Sequence, residues 1–195
     1  MYSKPFHTLD ITKKSFLVTG GAGFIGSNIV EYLLKYRAGS VTVLDNLSTG
    51  FEENIKPFKK TEGFRFIKGD ITSQADCIKA SKGVDYIFHQ AALGSVPRSI
   101  ENPLATHNAN ETGFIQMLIA ARDAKVKRFV YASSSSVYGD SQEMPKKEDN
   151  IGKQLSPYAV SKRVDELYAE IFAKTYQMET VGLRYFNIFG PRQNP

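Results

Sequence analysis

The chain has 195 residues, 42% of them hydrophobic and 23% charged, with a formal net charge of +5, which suits one soluble globular domain with an ample core rather than two. No apolar run reaches membrane-spanning length and residues 1–14 are polar and mixed rather than signal-like, so no membrane association is expected and a cytoplasmic location follows. Cys77 is the only cysteine, which excludes an internal disulfide and a cysteine-based metal cage; no metal site is expected, and Cys77 reads as a small buried apolar residue.

In chain order, residues 1–14 read as an extension and 16–19 as a buried strand. The run Thr19-Gly20-Gly21-Ala22-Gly23-Phe24-Ile25-Gly26 joins that strand directly to a helix expected over 24–36. Gly20, Gly23 and Gly26 give the spacing GxxGxxG, while Gly21, Gly23 and Gly26 also satisfy GxGxxG. Glycine permits the tight turn and lets backbone amides approach a pyrophosphate, whose charge is favoured at a helix N-terminus. Phe24 and Ile25, in the same loop, are counted with these glycines as cofactor-binding. A second strand over 41–45 ends on Asp45, 19 residues after Gly26, followed by Asn46. An acid there accepts hydrogen bonds from the adenine-ribose hydroxyls and repels a 2′-phosphate, so NAD is expected over NADP. The basic stretch Lys56 to Lys60, expected in a loop beside Pro57, lacks aromatic interleaving and any nucleic-acid motif, so it reads as solvated surface and no nucleic-acid partner is expected.

A third strand over 64–68 precedes Asp70 and Ile71, which either border an adenine or form an ordinary turn. A weak helix over 74–81, a strand over 84–89, a helix over 104–124 and a strand over 129–133 follow. The serine run Ser133 to Ser136 stands at the end of that fifth strand. In Ser156-Pro157-Tyr158-Ala159-Val160-Ser161-Lys162, the serine and proline are N-cap and first-turn residues of a helix expected over 157–176. Tyr158 and Lys162 then share one face, and an ammonium near a phenol favours the phenolate, making tyrosine usable as a proton acceptor near neutrality. Alone, this pair also fits a helix with one surface tyrosine and one solvated lysine. Val160, Val164, Leu167 and Ile171 repeat at helical spacing and are expected to face the sheet, leaving Tyr158 and Lys162 on another flank. A sixth strand over 180–185 closes the series. The alternation implies an α/β fold with parallel strands and right-handed crossovers, a Rossmann-type doubly wound sheet in three α/β/α layers, with function at the carboxyl ends of the strands.

With the glycine loop, Asp45, the serine run and Tyr158/Lys162 in this order, the chain resembles the extended short-chain dehydrogenase/reductase family, the NAD-dependent epimerases and dehydratases. Within it, Gln90 to Ser99, Leu155 to Lys162 and Leu183 to Gln193 are similar to the UDP-N-acetylglucosamine 4-epimerases of bacterial surface-polysaccharide pathways. The resemblance implies that Gln90, Ala91 and Ala92 border the cofactor, that Asn110 orders the active-site helix and is counted with the cofactor residues, and that Tyr185 lies by the nicotinamide. It also implies that Gly94 and Ser95 approach the hexose and that Asn187 approaches the substrate diphosphate. Tyr158 would act as base and then acid at the sugar 4-hydroxyl, Lys162 would lower its pKa and bind the nicotinamide ribose, and Ser134 would hydrogen-bond the C4 oxygen. Ser135 or Ser136 would assist, although any of the four serines can make local turn bonds instead.

The family's 4,6-dehydratases carry an acid pair where Ser135 and Ser136 stand, and its decarboxylases a glutamate at the second position. The implied reaction is therefore 4-epimerisation of a UDP-sugar through a 4-keto intermediate, on UDP-N-acetylglucosamine and UDP-N-acetylgalactosamine or the corresponding uronates. The alternatives are an NAD-binding fragment without turnover, a UDP-glucuronate 4-epimerase, another dehydratase or oxidoreductase of the family, and a non-catalytic regulator on the same fold. Family members are much longer, so residues 15–195 are expected to form the NAD-binding domain carrying the catalytic residues, with most of the substrate domain lacking and the sixth strand an exposed edge. A homodimer through helices 104–124 and 157–176 is also implied; the other reading is that their apolar residues pack on the sheet.

Overall fold

In the computed structural model, which describes residues 3–193, the runs rich in β-branched and aromatic residues form six parallel strands. They are β1 (Ser15–Thr19), β2 (Ser40–Asp45), β3 (Phe64–Lys68), β4 (Tyr86–His89), β5 (Arg128–Ser134) and β6 (Thr180–Tyr185), arranged β3-β2-β1-β4-β5-β6. Helices α1 (Phe24–Lys35), α2 (Glu52–Ile55), α3 (Gln74–Ser81), α4 (Val96–Glu101), α5 (Pro103–His107), α6 (Gly113–Asp123) and α7 (Pro157–Tyr176) connect them. This is the expected Rossmann-type doubly wound sheet. Residues 1–2 of the expected extension and 194–195 of the expected domain lie outside the described residues.

Each strand divides its side chains between two cores because successive residues point to opposite faces. Phe16 and Val18 of β1 join Val30 and Leu33 of α1 on one side, whereas Leu17 joins Phe114, Met117 and Leu118 of α6 and Phe129 of β5 on the other. Cys77 is fully buried in the second core, and burial raises its thiol pKa to about 12, which makes it an inert apolar filler. Strand order reverses between β1 and β4, so a crevice opens beyond their carboxyl ends.

Three local departures from expectation have physical causes. The strand expected from 84 begins at Tyr86, because the Val84 amide donates to the Ser81 carbonyl and belongs to the turn closing α3. The helix expected over 104–124 is three segments. Asn102 caps α5 by accepting from the Ala105 amide at 3.1 Å, a π-helical turn runs Asn108–Thr112, and α6 begins at Gly113, where a Cβ would press 2.6 Å from Ile71 Cδ1. A 3-10 turn at Lys56–Phe58 replaces the expected loop.

The largest correction concerns α7. Ala159, Ser161, Lys162, Asp165, Ala169 and Phe172 are its buried residues, whereas Val160 (46% exposed), Leu167 (44%) and Ile171 (55%) face outward and Val164 is half-buried. Hydrophobic spacing therefore pointed to the wrong face. The inward stripe carries a lysine paired with an aspartate and a serine bonded to Asn110, and periodicity of apolar residues does not register such a stripe.

Candidate active site

The glycine loop is shaped by close approach. Gly20 has φ +66°, and a Cβ there would lie 2.7 Å from the Ala91 nitrogen; a Cβ on Gly26 would collide with the Gly20 carbonyl oxygen. Gly20 donates its amide to the Leu44 carbonyl at 2.9 Å, and the Gly23 amide donates to Gly20 at 3.0 Å, which turns the chain from β1 into α1. Gly23 caps that helix without a side-chain acceptor, leaving first-turn amides for an anion.

The loop forms one wall of a cavity of about 560 Å³ beyond the ends of β1 to β4. Gly20, Gly23, Phe24, Ile25 and Gly26 line it beside Asp45 and Asn46, Asp70 and Ile71, and Gln90, Ala91, Ala92 and Gly94, so these expected residues converge. Asp45 accepts from the Ala22 amide at 2.9 Å and the Leu47 amide at 2.8 Å, binding the end of β2 to the glycine loop. Burial raises its pKa and the two backbone bonds oppose the rise. For Asp70, burial acts upward as well, but donation from Thr72 and Asn46 outweighs it and the carboxyl sits below its ordinary range. The Gln90 amide is buried near the Tyr185 phenol, with neither its nitrogen nor its oxygen in good hydrogen-bonding geometry with a partner among the described residues. Burial raises the Tyr185 pKa.

Sequence reasoning missed Ser48, Thr49, Gly50, Thr72, Leu93, Ala105 and Asn108, which also line the cavity. Ser48 to Gly50 carried a legible signal, a small polar turn directly after Asp45. It folds back on the glycine loop, where the Phe51 amide and the Asn54 side chain both donate to the Ala22 carbonyl.

The other expected residues stand beyond this lining. Ser134 ends β5, pairs in register with Tyr185 of β6, and caps the 3-10 turn Ser135–Tyr138, which packs against α7. Its Oγ accepts from the Ser136 amide at 3.1 Å and the Ser136 hydroxyl at 2.9 Å, so its own O–H is left to donate. Ser133 donates to Glu166 at 2.6 Å and is thereby occupied, Glu166 being held by Arg184 and Arg163. Ser156 caps α7 by accepting from the Ala159 amide at 3.1 Å, which sets Tyr158 in the first turn and Lys162 one turn further. Lys162 is buried, with Nζ 3.0 Å from Asp165 Oδ2.

Asn110 is spent structurally. Its oxygen accepts from the Leu93 amide at 2.8 Å and its nitrogen donates to the Leu93 carbonyl and, at 3.0 Å, to Ser161 Oγ. It thus ties the loop after β4 to α7, and it sits in the π-helical turn, where its side chain is buried. Ser95 caps α4 by accepting from the Arg98 amide. Asn187 is exposed in the segment after β6.

Amides at a helix start, carboxylates where two strands end, and a serine, tyrosine and lysine on the adjoining elements suit a dinucleotide and proton transfer beside it. Residues 16–195 match the NAD dependent epimerase/dehydratase family. A protein of Methanocaldococcus jannaschii named a putative UDP-glucose 4-epimerase is 41% identical over 181 residues, 92% of this chain and 57% of that protein. The structure of the UDP-N-acetylglucosamine 4-epimerase of Methanobrevibacter ruminantium in complex with UDP-N-acetylmuramic acid superposes with a TM-score of 0.88 at 43% identity, over 94% of this chain and 58% of that one. The dTDP-glucose 4,6-dehydratase DesIV of Streptomyces venezuelae, solved with NAD bound, gives 0.88 at 37% identity over 92% and 58%. The chain thus spans somewhat under three-fifths of the length of these relatives.

Proposed function

The chain belongs to the NAD-dependent epimerase/dehydratase family, and from that premise we propose that it supplies the cofactor-binding and catalytic part of a UDP-sugar 4-epimerase. The substrates are UDP-N-acetylglucosamine and UDP-N-acetylgalactosamine or the corresponding uronates, and the setting is cytoplasmic synthesis of surface-polysaccharide precursors. The observation that carries this reading is the pair Ser135 and Ser136: they place hydroxyls, not carboxylates, beside Ser134 at the end of β5. Eliminating water from a sugar needs a further acid and base; inverting one carbinol does not.

The cradle fits NAD. Gly20 and Gly26 let backbone close on backbone where a Cβ would collide, the start of α1 offers amides to the pyrophosphate, and Asp45 and Asp70 border the ribose and adenine end. The buried Gln90 amide and Tyr185 flank the nicotinamide end. When bound, NAD supplies reversible hydride exchange at the sugar C4. Tyr158 takes the proton of the 4-hydroxyl and returns it after the 4-keto sugar has turned its other face. Lys162 favours the phenolate by its charge and reaches the nicotinamide ribose. Ser134 donates its free O–H to the C4 oxygen, and Ser136, which donates to Ser134, fixes that direction. Gly94 and Ser95 border the hexose, and Asn187 the diphosphate.

The second reading, NAD binding without turnover by this chain alone, is favoured by the share of the relatives that it spans. Calorimetry with NAD, followed by mass spectrometry and NMR of UDP-N-acetylglucosamine incubated with the NAD-loaded protein, separates the two. The epimerase reading expects an axial 4-hydroxyl at unchanged mass. A product lighter by one water makes the protein a dehydratase, and bound NAD with unchanged substrate makes it a binding fragment. Absence of NAD binding overturns both.

We further infer a homodimer. The residues Val160, Leu167 and Ile171 face outward from α7, which packs against α5, and Leu104 of α5 is 67% exposed; these apolar side chains suit a second copy.

A further inference from the structure

Resting on the reading of Tyr158 as the proton acceptor, we propose that Asp165 is a positioning residue for Lys162, and that its carboxylate sets how much of the lysine's positive charge reaches the tyrosine. Residues 158, 162 and 165 recur at the spacing of one helix face, so tyrosine, lysine and aspartate form one stripe along α7. Lys162 and Asp165 are both buried, and Nζ stands 3.0 Å from Oδ2. The other carboxylate oxygen, Oδ1, is buried with no hydrogen-bond partner among the described residues. A side chain needed only for packing carries no such orphan, because burying a polar atom unpaired is costly.

The pair has a definite electrostatic consequence. A lone ammonium would stabilise a Tyr158 phenolate with the field of a full charge. An ammonium with a carboxylate against it offers the field of a dipole, which falls off faster with distance and favours the phenolate less. Asp165 therefore keeps the buried lysine from standing unpaired, and in doing so moderates its pull on the tyrosine. The groups facing this pair from its neighbours are His89 on β4, Tyr131 on β5, Glu111 in the π-helical turn before α6, and Glu166 on α7 itself. Burial raises the Asp165 pKa despite Lys162, with Glu111 and Glu166 adding to the rise, so acid removes this carboxylate's charge sooner than that of an exposed aspartate.

The test is 13C NMR of the protein labelled at tyrosine Cζ and aspartate Cγ, with Tyr158 and Asp165 assigned from Tyr158→Phe and Asp165→Asn. Asp165→Asn keeps the shape and an acceptor for Nζ but removes the negative charge. It is expected to lower the Tyr158 titration midpoint by roughly half a pH unit or more. The same change in a Lys162→Met background is expected to move it by less than about a third of that, because the residue acts through the lysine. An unmoved midpoint, or an equal shift in both backgrounds, overturns the proposal. Where Asp165→Asn does not fold, the unsubstituted protein decides. Its Tyr158 resonance is expected to show an inflection at the pH at which the Asp165 carboxyl titrates, and a flat trace there overturns the proposal. The readout needs no turnover, so a failure of sugar interconversion with the shift intact sinks the epimerase reading alone, and interconversion with an unmoved midpoint sinks the role of Asp165 alone.

Discussion

Gly26 leaves no room for a methyl group, since a Cβ would collide with the Gly20 carbonyl oxygen and lie 2.8 Å from Gly21 Cα. Backbone on both sides cannot yield as a flexible side chain would. Gly26→Ala is therefore expected to destabilise the fold by about 1–3 kcal/mol, the usual cost of overpacking, and to weaken NAD binding at least tenfold, as denaturation and calorimetry would show. His89 carries the strongest pH signature. It is buried between Phe114 and Phe129, with Nδ1 2.9 Å from the Thr19 hydroxyl, and burial, aided by the charge of Lys162, lowers its pKa from 6.5 to about 3. The unfolded chain binds a proton at this residue that the folded one refuses. Stability is accordingly full above pH 6.5 and falls as pH drops toward 3, by about 1.4 kcal/mol per pH unit from this group. Urea midpoints measured between pH 4 and 7 should show that slope, and His89→Asn should flatten it. A slope unchanged by the substitution would assign it to the carboxylates.

Among the elements, α7 holds Tyr158 and Lys162 in place through its start. Ser156→Ala removes the acceptor of the Ala159 amide and should cost about 1 kcal/mol in a denaturation midpoint. The beginning of this helix was readable from Ser156 and Pro157 because capping is local chemistry. Its inward face was not, because Lys162 and Asp165 neutralise one another inside the protein and a sequence does not display that pairing. The same limit explains the helix expected over 104–124: the π-helical turn forms to carry Asn110 to Leu93 and Ser161, partners far away in sequence. The glycine loop, Asp45 and the strands were legible because turn conformation and runs of β-branched and aromatic residues are properties of short segments. Ser48 to Gly50 left only a short polar turn as their signal, because a loop has no period, and the fold brings Gly50 back onto Ala22.

At the scale of the molecule, the alternation of strands and helices sufficed to anticipate a parallel doubly wound sheet, and β6 is its edge as expected. The outward apolar residues of α5 and α7 give the proposed dimer a direct test. Leu167→Glu combined with Ile171→Glu places like charges on that face and should shift sedimentation from dimer toward monomer, leaving NAD binding unchanged; an unaltered dimer would place the interface elsewhere. Reversible oxidation at one sugar carbon by a tyrosine beside NAD is read out by UDP-N-acetylglucosamine deuterated at C4. With the NAD-loaded protein, UDP-N-acetylgalactosamine that retains the deuterium at C4 is the expected product, and Tyr158→Phe should bind NAD yet form none. Product that has lost the deuterium to solvent, or equal product from Tyr158→Phe, would contradict the account.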